Sequence, residues 1–285
     1  MSQRVRVGVL KAGCLGSLPL LEFLVDERAD RTDVEVLVAG SGAKLGVVQC
    51  EATATWLISQ NPSFIVFSGP AQQAPGPTRA RTLLVEAGIP TVVLSDGPAR
   101  SLAKDLEARG IGYIIVDADA MIGARREFLD PVEMALFNAN MIKVLAVTGV
   151  LPVITSTIDG LIQSVKRGQP LTLPRLVVTK ELAVNASGLT NPYARAQALA
   201  AYEVAKCAAS VDSAACFQVK DWTKYLPLVA SGHELLTAAA KLADAARDLE
   251  KAGDSLVRRP HYADGSPGVK RKLMEKPQRV DGYDL

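Results

Sequence analysis

With 285 residues, 48% hydrophobic side chains and a mean hydropathy of +0.16, the chain has ample material for a core, and 5% aromatics leave small aliphatics to fill it. A net charge of +2 with both signs interspersed is no footprint for DNA or RNA, which needs a basic face or stripe. Four cysteines without a CxxC pair, and two histidines, give a disulfide framework or a zinc site little support.

The first residues run straight into a strand pattern with no secretory apolar region. Five apolar, β-branched runs follow: Val5–Leu10, Val34–Ala39, Phe64–Phe67, Thr91–Leu94 and Ile111–Val116. Between them lie helix-compatible segments, roughly 15–27, 47–59, 77–87 and 98–109. Strands alternating with helices predict an α/β domain over residues 1–130, an open, mostly parallel sheet covered by helices on both faces. All five strand-end loops then fall on one edge, where such sheets bind ligands.

Residues 131–257 read as a helical bundle, with helices near 131–148, 152–167, 192–210 and 228–252. Two strand-like pieces, Arg175–Thr179 and Cys216–Val219, suggest a small β arm. Met141–Ile154 is interrupted by Lys143, Gly149 and Pro152 and falls short of the ~20 residues of a membrane span. Residues 258–285 read as an extended surface segment. The chain reads as a cytosolic protein with no membrane or nucleic-acid partner.

The strand-end edge holds the chemistry. Gly13-Cys14-Leu15-Gly16 follows the first strand but lacks the full G-x-G-x-x-G, and the second strand ends in Gly40-Ser41 rather than an acidic residue, so the dinucleotide fingerprint fails twice. Lys11 is a charge partner for an anion at that turn. The helix starts after Gly76 and Gly97 offer amides to anions, and Gln72 and Gln73 offer polar atoms suited to a heterocycle. Asp130-Pro131-Val132-Glu133 fits a capping-box variant, which leaves Arg125, Arg126 and Glu127 to surface ion pairs or to ligand work. His233-Glu234 lacks the second histidine of a zinc-protease helix. No Ser/His/Asp or Cys/His set is legible, which suits hydride transfer or binding better than hydrolysis.

The string from Asp119 to Ala135, DAMIGARREFLDPVEMA, resembles the hallmark of the coenzyme F420-dependent methylenetetrahydromethanopterin dehydrogenases. Supporting pieces occur in order: Leu24–Asp30, Ala74–Pro77, Lys143–Ala146, Asn191–Ala194, Val229–Glu234, and Pro260-His261 followed by Asp264-Gly265. The resemblance implies reversible hydride transfer from methylenetetrahydromethanopterin to the 8-hydroxy-5-deazaflavin coenzyme F420. It also implies a homohexamer built as a trimer of dimers, without bound metal or flavin.

On that resemblance Glu133, Asp130 and Asp96, in that order, are the carboxylates expected to stabilise the growing positive charge. The coenzyme is expected along Lys11, Gly13, Gly16, Ser17, Ser68, Gly69, Pro70 and Gly97. The pterin is expected along Ala120, Met121, Gly123, Arg125, Arg126, Phe128 and His233. The chain departs from the family at this edge: Gly13–Leu18 stands for Gly-Asn-Leu-Gly-Thr-Ser, Ser68–Gln72 for Gly-Gly-Pro-Asn-Pro, and Asp117 for a lysine. Those changes leave the acceptor open between coenzyme F420 and NAD(P), with a non-catalytic pterin- or deazaflavin-binding paralogue as the reading of another class.

Overall fold

Short β-branched runs become strands because both their faces are covered: every residue of Phe64–Ser68 and Gly112–Val116 is buried. The structure, a computed structural model, describes residues 4–280. Its strands are β1 (Val5–Lys11), β2 (Val34–Gly40), β3 (Phe64–Ser68), β4 (Thr91–Asp96), β5 (Gly112–Val116) and β6 (Arg175–Val178). They form one parallel sheet in the order β2-β1-β3-β4-β5-β6, with Val7 opposite both Val36 and Phe64 in the centre.

Crossovers carry α1 (Leu21–Val25), α2 (Val47–Ser59), α3 (Pro75–Glu86) and α4 (Ala103–Ala108). After β5 come α5 (Pro131–Thr148) and α6 (Val150–Lys166), then α7 (Lys180–Ala186), α8 (Pro192–Phe217) and α9 (Trp222–Ala252). Gly149 turns the chain by 69° between α5 and α6 at φ +96°, and a Cβ there would stand 2.0 Å from the Ala183 carbonyl oxygen. One apolar cluster runs from Val7, Val66 and Ile114 in the sheet through Met141 and Ile154 to Ala201 and Ala240. A second, around Leu10, Leu57 and Leu84, covers the opposite face under α2 and α3. The sheet is therefore clad on both sides, and helices α5–α9 share its core.

Four expectations need correction. Arg175–Thr179 is no arm: it is the sixth strand of the main sheet, with Tyr113 N–H donating to Pro174 O at 2.7 Å and Arg175 registered on Tyr113. β5 would otherwise present an unpaired edge, and the α5–α6 hairpin is the long crossover that returns the chain to it. Cys216–Val219 is the last turn of α8 and its exit, where the N–H groups of Gln218 and Val219 both donate to Ala214 O.

Helix α9 starts at Trp222 rather than near 228. Asp221 caps it and Pro227 is carried inside its second turn. The tail, expected as an extended surface segment, is in part built into the fold. Arg258 pairs with Lys270, His261 with Pro267, and β7 (Gly268–Val269) with β8 (Gln278–Arg279), which is the small antiparallel piece of this fold. His261 and Ser266 are buried, and residues 281–285 of the expected segment lie outside the described ones.

His261 anchors this tail. Its Nε2 meets Asp159 at 2.8 Å, and Asp159 also accepts from Arg31 at 2.9 Å, while Arg31 forks onto Asp33. Hydrogen bonds to Asp159 and Glu27 outweigh burial and hold the imidazole at about 9. No single helix among the described residues is long and apolar enough to cross a membrane.

Candidate active site at the carboxyl edge of the sheet

The loops after β3, β4 and β5 face α8 across a cleft of about 680 Å³. Ala71 and Gln73 come from the first loop, Asp96, Gly97, Pro98 and Arg100 from the second, and Asp117, Asp119 and Met121 from the third. Lys206, Ser210, Ser213 and Phe217 repeat at helical spacing along α8 and form the opposing wall. A cleft of this size falls in the ~300–1,000 Å³ range of small-molecule sites.

Three carboxylates line it, in different states. Asp119 is fully buried and accepts from Gly16 N–H at 2.7 Å, Ser17 N–H at 3.2 Å and Ser17 Oγ at 2.7 Å. Burial still raises its pKa against those bonds. Asp96 ends β4 with 6% exposure. Burial first, and the neighbouring Asp119 second, push it up to about 6, while Ser95 Oγ donates to it at 3.2 Å. Asp117 is held by Arg100, whose Nε donates to Oδ1 at 2.7 Å and whose Nη2 donates to Oδ2.

Of the expected site residues, Asp96, Gly97 and Met121 line this cleft. The glycine turn after β1 does not. Gly13 takes φ +77° beneath Pro70, and the amides of Gly16 and Ser17 are spent on the Asp119 carboxylate, so the turn carries an internal anion in place of a ligand's. Lys11 is paired with Glu22 at 2.5 Å. Ser68 is buried behind the turn, and Gly69 packs so tightly that a Cβ would stand 2.0 Å from Ala12 O. Gly69→Ala is expected to lower stability by about 2–3 kcal/mol, read as an earlier midpoint in urea with an unchanged slope. Gln72 is buried and bound by Arg81, which leaves Gln73 as the amide at the cleft, donating to Pro98 O at 3.0 Å.

The signature loop is built inward. Ala120 N–H points at Met141 Sδ (3.2 Å), and Gly123 packs on Val229 and Asp212. Arg125 is a helix cap: its guanidinium donates to the carbonyls of Ala215, Cys216 and Val219 at the end of α8 and lies 4.1 Å over the Tyr225 ring. Its charge is therefore already engaged within the fold. Arg126 is exposed. Asp130 caps α5, accepting from the N–H groups of Val132 and Glu133.

Glu133 turns to His233, Oε1 to Nδ1 at 2.7 Å, and that imidazole sits between Phe128 and Phe137 with ring centroids 4.8 and 4.5 Å away. This group of four lies outside the cleft lining. It gathers Glu133, Phe128 and His233 from three separate stretches of sequence, and His233 Nε2 is buried without a partner.

Sequence reasoning missed Asp119, Arg100 and Lys206. The Asp117-Ala118-Asp119 alternation at a strand end was the available signal for the first. Nothing in the spacing ties 100 and 206 to one cleft. Among the described residues no group of three His, Cys, Asp or Glu side chains is placed to hold a metal.

A parallel sheet and a cleft with a carboxylate floor at its carboxyl edge define an α/β protein built to hold small molecules. The family model described as methylene-5,6,7,8-tetrahydromethanopterin dehydrogenase matches residues 5–278. The chain is 47% identical to the F420-dependent methylenetetrahydromethanopterin dehydrogenases of Methanocaldococcus jannaschii and of Methanothermobacter marburgensis, in each case over 96% of this chain and 99% of the relative. A solved F420-dependent methylene-tetrahydromethanopterin dehydrogenase, in complex with methylene-tetrahydromethanopterin and coenzyme F420, superposes with a TM-score of 0.93 at 42% identity, covering 97% of this chain and 100% of that one. The chain belongs to the methylenetetrahydromethanopterin dehydrogenase family.

Proposed function

We propose that the protein catalyses reversible hydride transfer between methylenetetrahydromethanopterin and coenzyme F420. The observation that carries this reading is Asp96, a poorly solvated carboxylate at the floor of a cleft large enough for two stacked ring systems. Coenzyme F420, when bound, supplies the ring carbon that accepts or returns the hydride. The protein's part is to align two rings with reacting carbons near ~3–3.5 Å and to stabilise charge. The loops after β3–β5 and the α8 face supply the walls. Asp96 gains an attractive partner as positive charge grows on the one-carbon bridge, an interaction of up to roughly 4 kcal/mol at 4 Å and an effective dielectric near 20. No proton need be abstracted, because the bridge nitrogens push the electrons.

A nicotinamide acceptor is disfavoured by the same geometry. Asp119 sits on the amides that a pyrophosphate would need at the first glycine turn. The assay is direct: purified protein with methylenetetrahydromethanopterin is offered coenzyme F420 or NAD(P), following each acceptor's absorbance. Loss of the deazaflavin band alone is expected. Reduction of nicotinamide alone would overturn the acceptor, and saturable binding without turnover would favour a carrier.

A cytoplasmic homohexamer completes the proposal. Val132, Met134 and Leu136 stand 66, 44 and 55% exposed along the first turns of α5, apolar surface suited to contact between copies.

A further inference from the structure

We propose that Arg100 and Lys206 form an anion clamp at the mouth of the cleft that grips the phosphodiester and carboxylates of the deazaflavin's tail, with Asp117 aiming both. The inference rests on the functional reading above. It begins from an elimination. Lys11 is tied to Glu22, the amides of Gly16 and Ser17 to Asp119, and Arg125 to three carbonyls. The first glycine turn, its lysine and Arg125 are therefore satisfied from within, and the Gly97–Pro98 turn lies on the same cleft wall as the cations that remain.

Two cations remain on the cleft wall, one on each side of it. Arg100 stands in the turn after β4 and Lys206 on α8, with side chains 50 and 48% exposed. Asp117, only 11% exposed, lies between them. Its two oxygens take the Nε and Nη2 edge of Arg100, which fixes the guanidinium plane and leaves Nη1 without a hydrogen bond among the described residues. Lys206 Nζ is 4.0 Å from Asp117 Oδ2, close enough to be drawn inward and too far to be consumed by a hydrogen bond.

One carboxylate thus organises two cations into a group of net positive charge, set beside Asp96 and Asp119 on the cleft floor. Ser210 and Ser213 lie one and two turns along the same α8 face and offer hydroxyls to further oxygens. A forked donor and an ammonium flanking one carboxylate oxygen set two neighbouring positive sites at the cleft for the oxygens of that tail.

The test measures equilibrium binding of two ligands by their deazaflavin fluorescence: coenzyme F420, and the riboside of the same ring lacking phosphate and carboxylates. Wild type, R100Q and K206Q are compared at low and physiological salt. Each substitution is expected to weaken coenzyme F420 binding roughly tenfold, the loss of one charge-assisted contact. Affinity for the riboside should stay within about twofold of wild type. The salt dependence of coenzyme F420 binding should flatten in both variants. Equal weakening toward both ligands, or unchanged affinity for both, would overturn the clamp. If wild type binds the riboside yet reduces neither ligand, the catalytic reading fails while the affinities still decide the clamp.

Discussion

Replacing Asp96 by Asn is expected to lower kcat about a hundred- to a thousandfold with little change in the fold. The carboxyl ends a central strand, its neighbours are Ser95 and the buried Asp119, and nothing in the structure needs its charge for stability. An amide of the same shape keeps the packing and removes only the interaction with the developing cation, which at roughly 3–4 kcal/mol corresponds to that factor.

The pH profile adds a second reading of the same residue. Its pKa is raised to about 6, and the ionised form is the useful one. Wild-type kcat/KM should therefore fall as pH drops through 6, and the Asn variant should lack that limb. Glu133→Gln serves as the contrast. Glu133 faces His233 outside the cleft lining, so its variant should keep most of the turnover; if it, and not the Asp96 variant, loses turnover, the charge-stabilising role moves to α5.

Asp212→Asn is expected to raise the melting temperature at pH 8 and leave it nearly unchanged at pH 4. Asp212 is wholly buried on α8, and neither carboxylate oxygen has a hydrogen-bond partner. It nests against the backbone of Gly232, where a Cβ would come within 2.0 Å of Oδ1. Burial alone lifts it to about 7. The sign follows from linkage: the folded state holds the proton more tightly than the unfolded chain. Stability is fully present below the ordinary pKa of 3.8 and lost as pH rises through about 7. Above that the charged form costs on the order of 4 kcal/mol, which the amide avoids. Thermal unfolding of both proteins across pH 4–8 checks it, and parallel curves would refute the argument.

The sheet was legible because its inner strands β3–β5 are both-face-buried apolar runs punctuated by glycine and proline, a pattern that depends only on neighbours in sequence. β6 was legible as a strand but was assigned to a small arm, because a four-residue strand with an exposed first residue and a half-buried middle does not show which sheet it joins. Its role is set by the free edge of β5, a partner 62 residues earlier, Tyr113 for Arg175. The candidate site divides the same way. Asp96 and Gly97 announce themselves at a strand end. The Arg125 cap, the Glu133–His233 pair and the Arg100–Asp117–Lys206 group exist only once α8 and α9 are laid against the loops. Residues 125 and 215, or 133 and 233, have no spacing rule that joins them. Charge on a strand-end loop pointed to the edge, and for Arg125 the structure adds a helix terminus that the spacing did not show.

The late return of β6 sets an order of assembly during synthesis. Ribosomes deliver β5 by residue 116, but its outer neighbour is not made until residue 178, after the whole of α5 and α6. For that interval the strand carrying Asp117 at its tip has an unsealed flank of backbone donors and acceptors, the kind of edge that recruits foreign strands. The α5–α6 hairpin, packed on the sheet face through Met141 and Ile154, is the piece available to steady it. The wall of the cleft on α8 arrives later still, so the chain cannot present a working pocket before its scaffold has been closed.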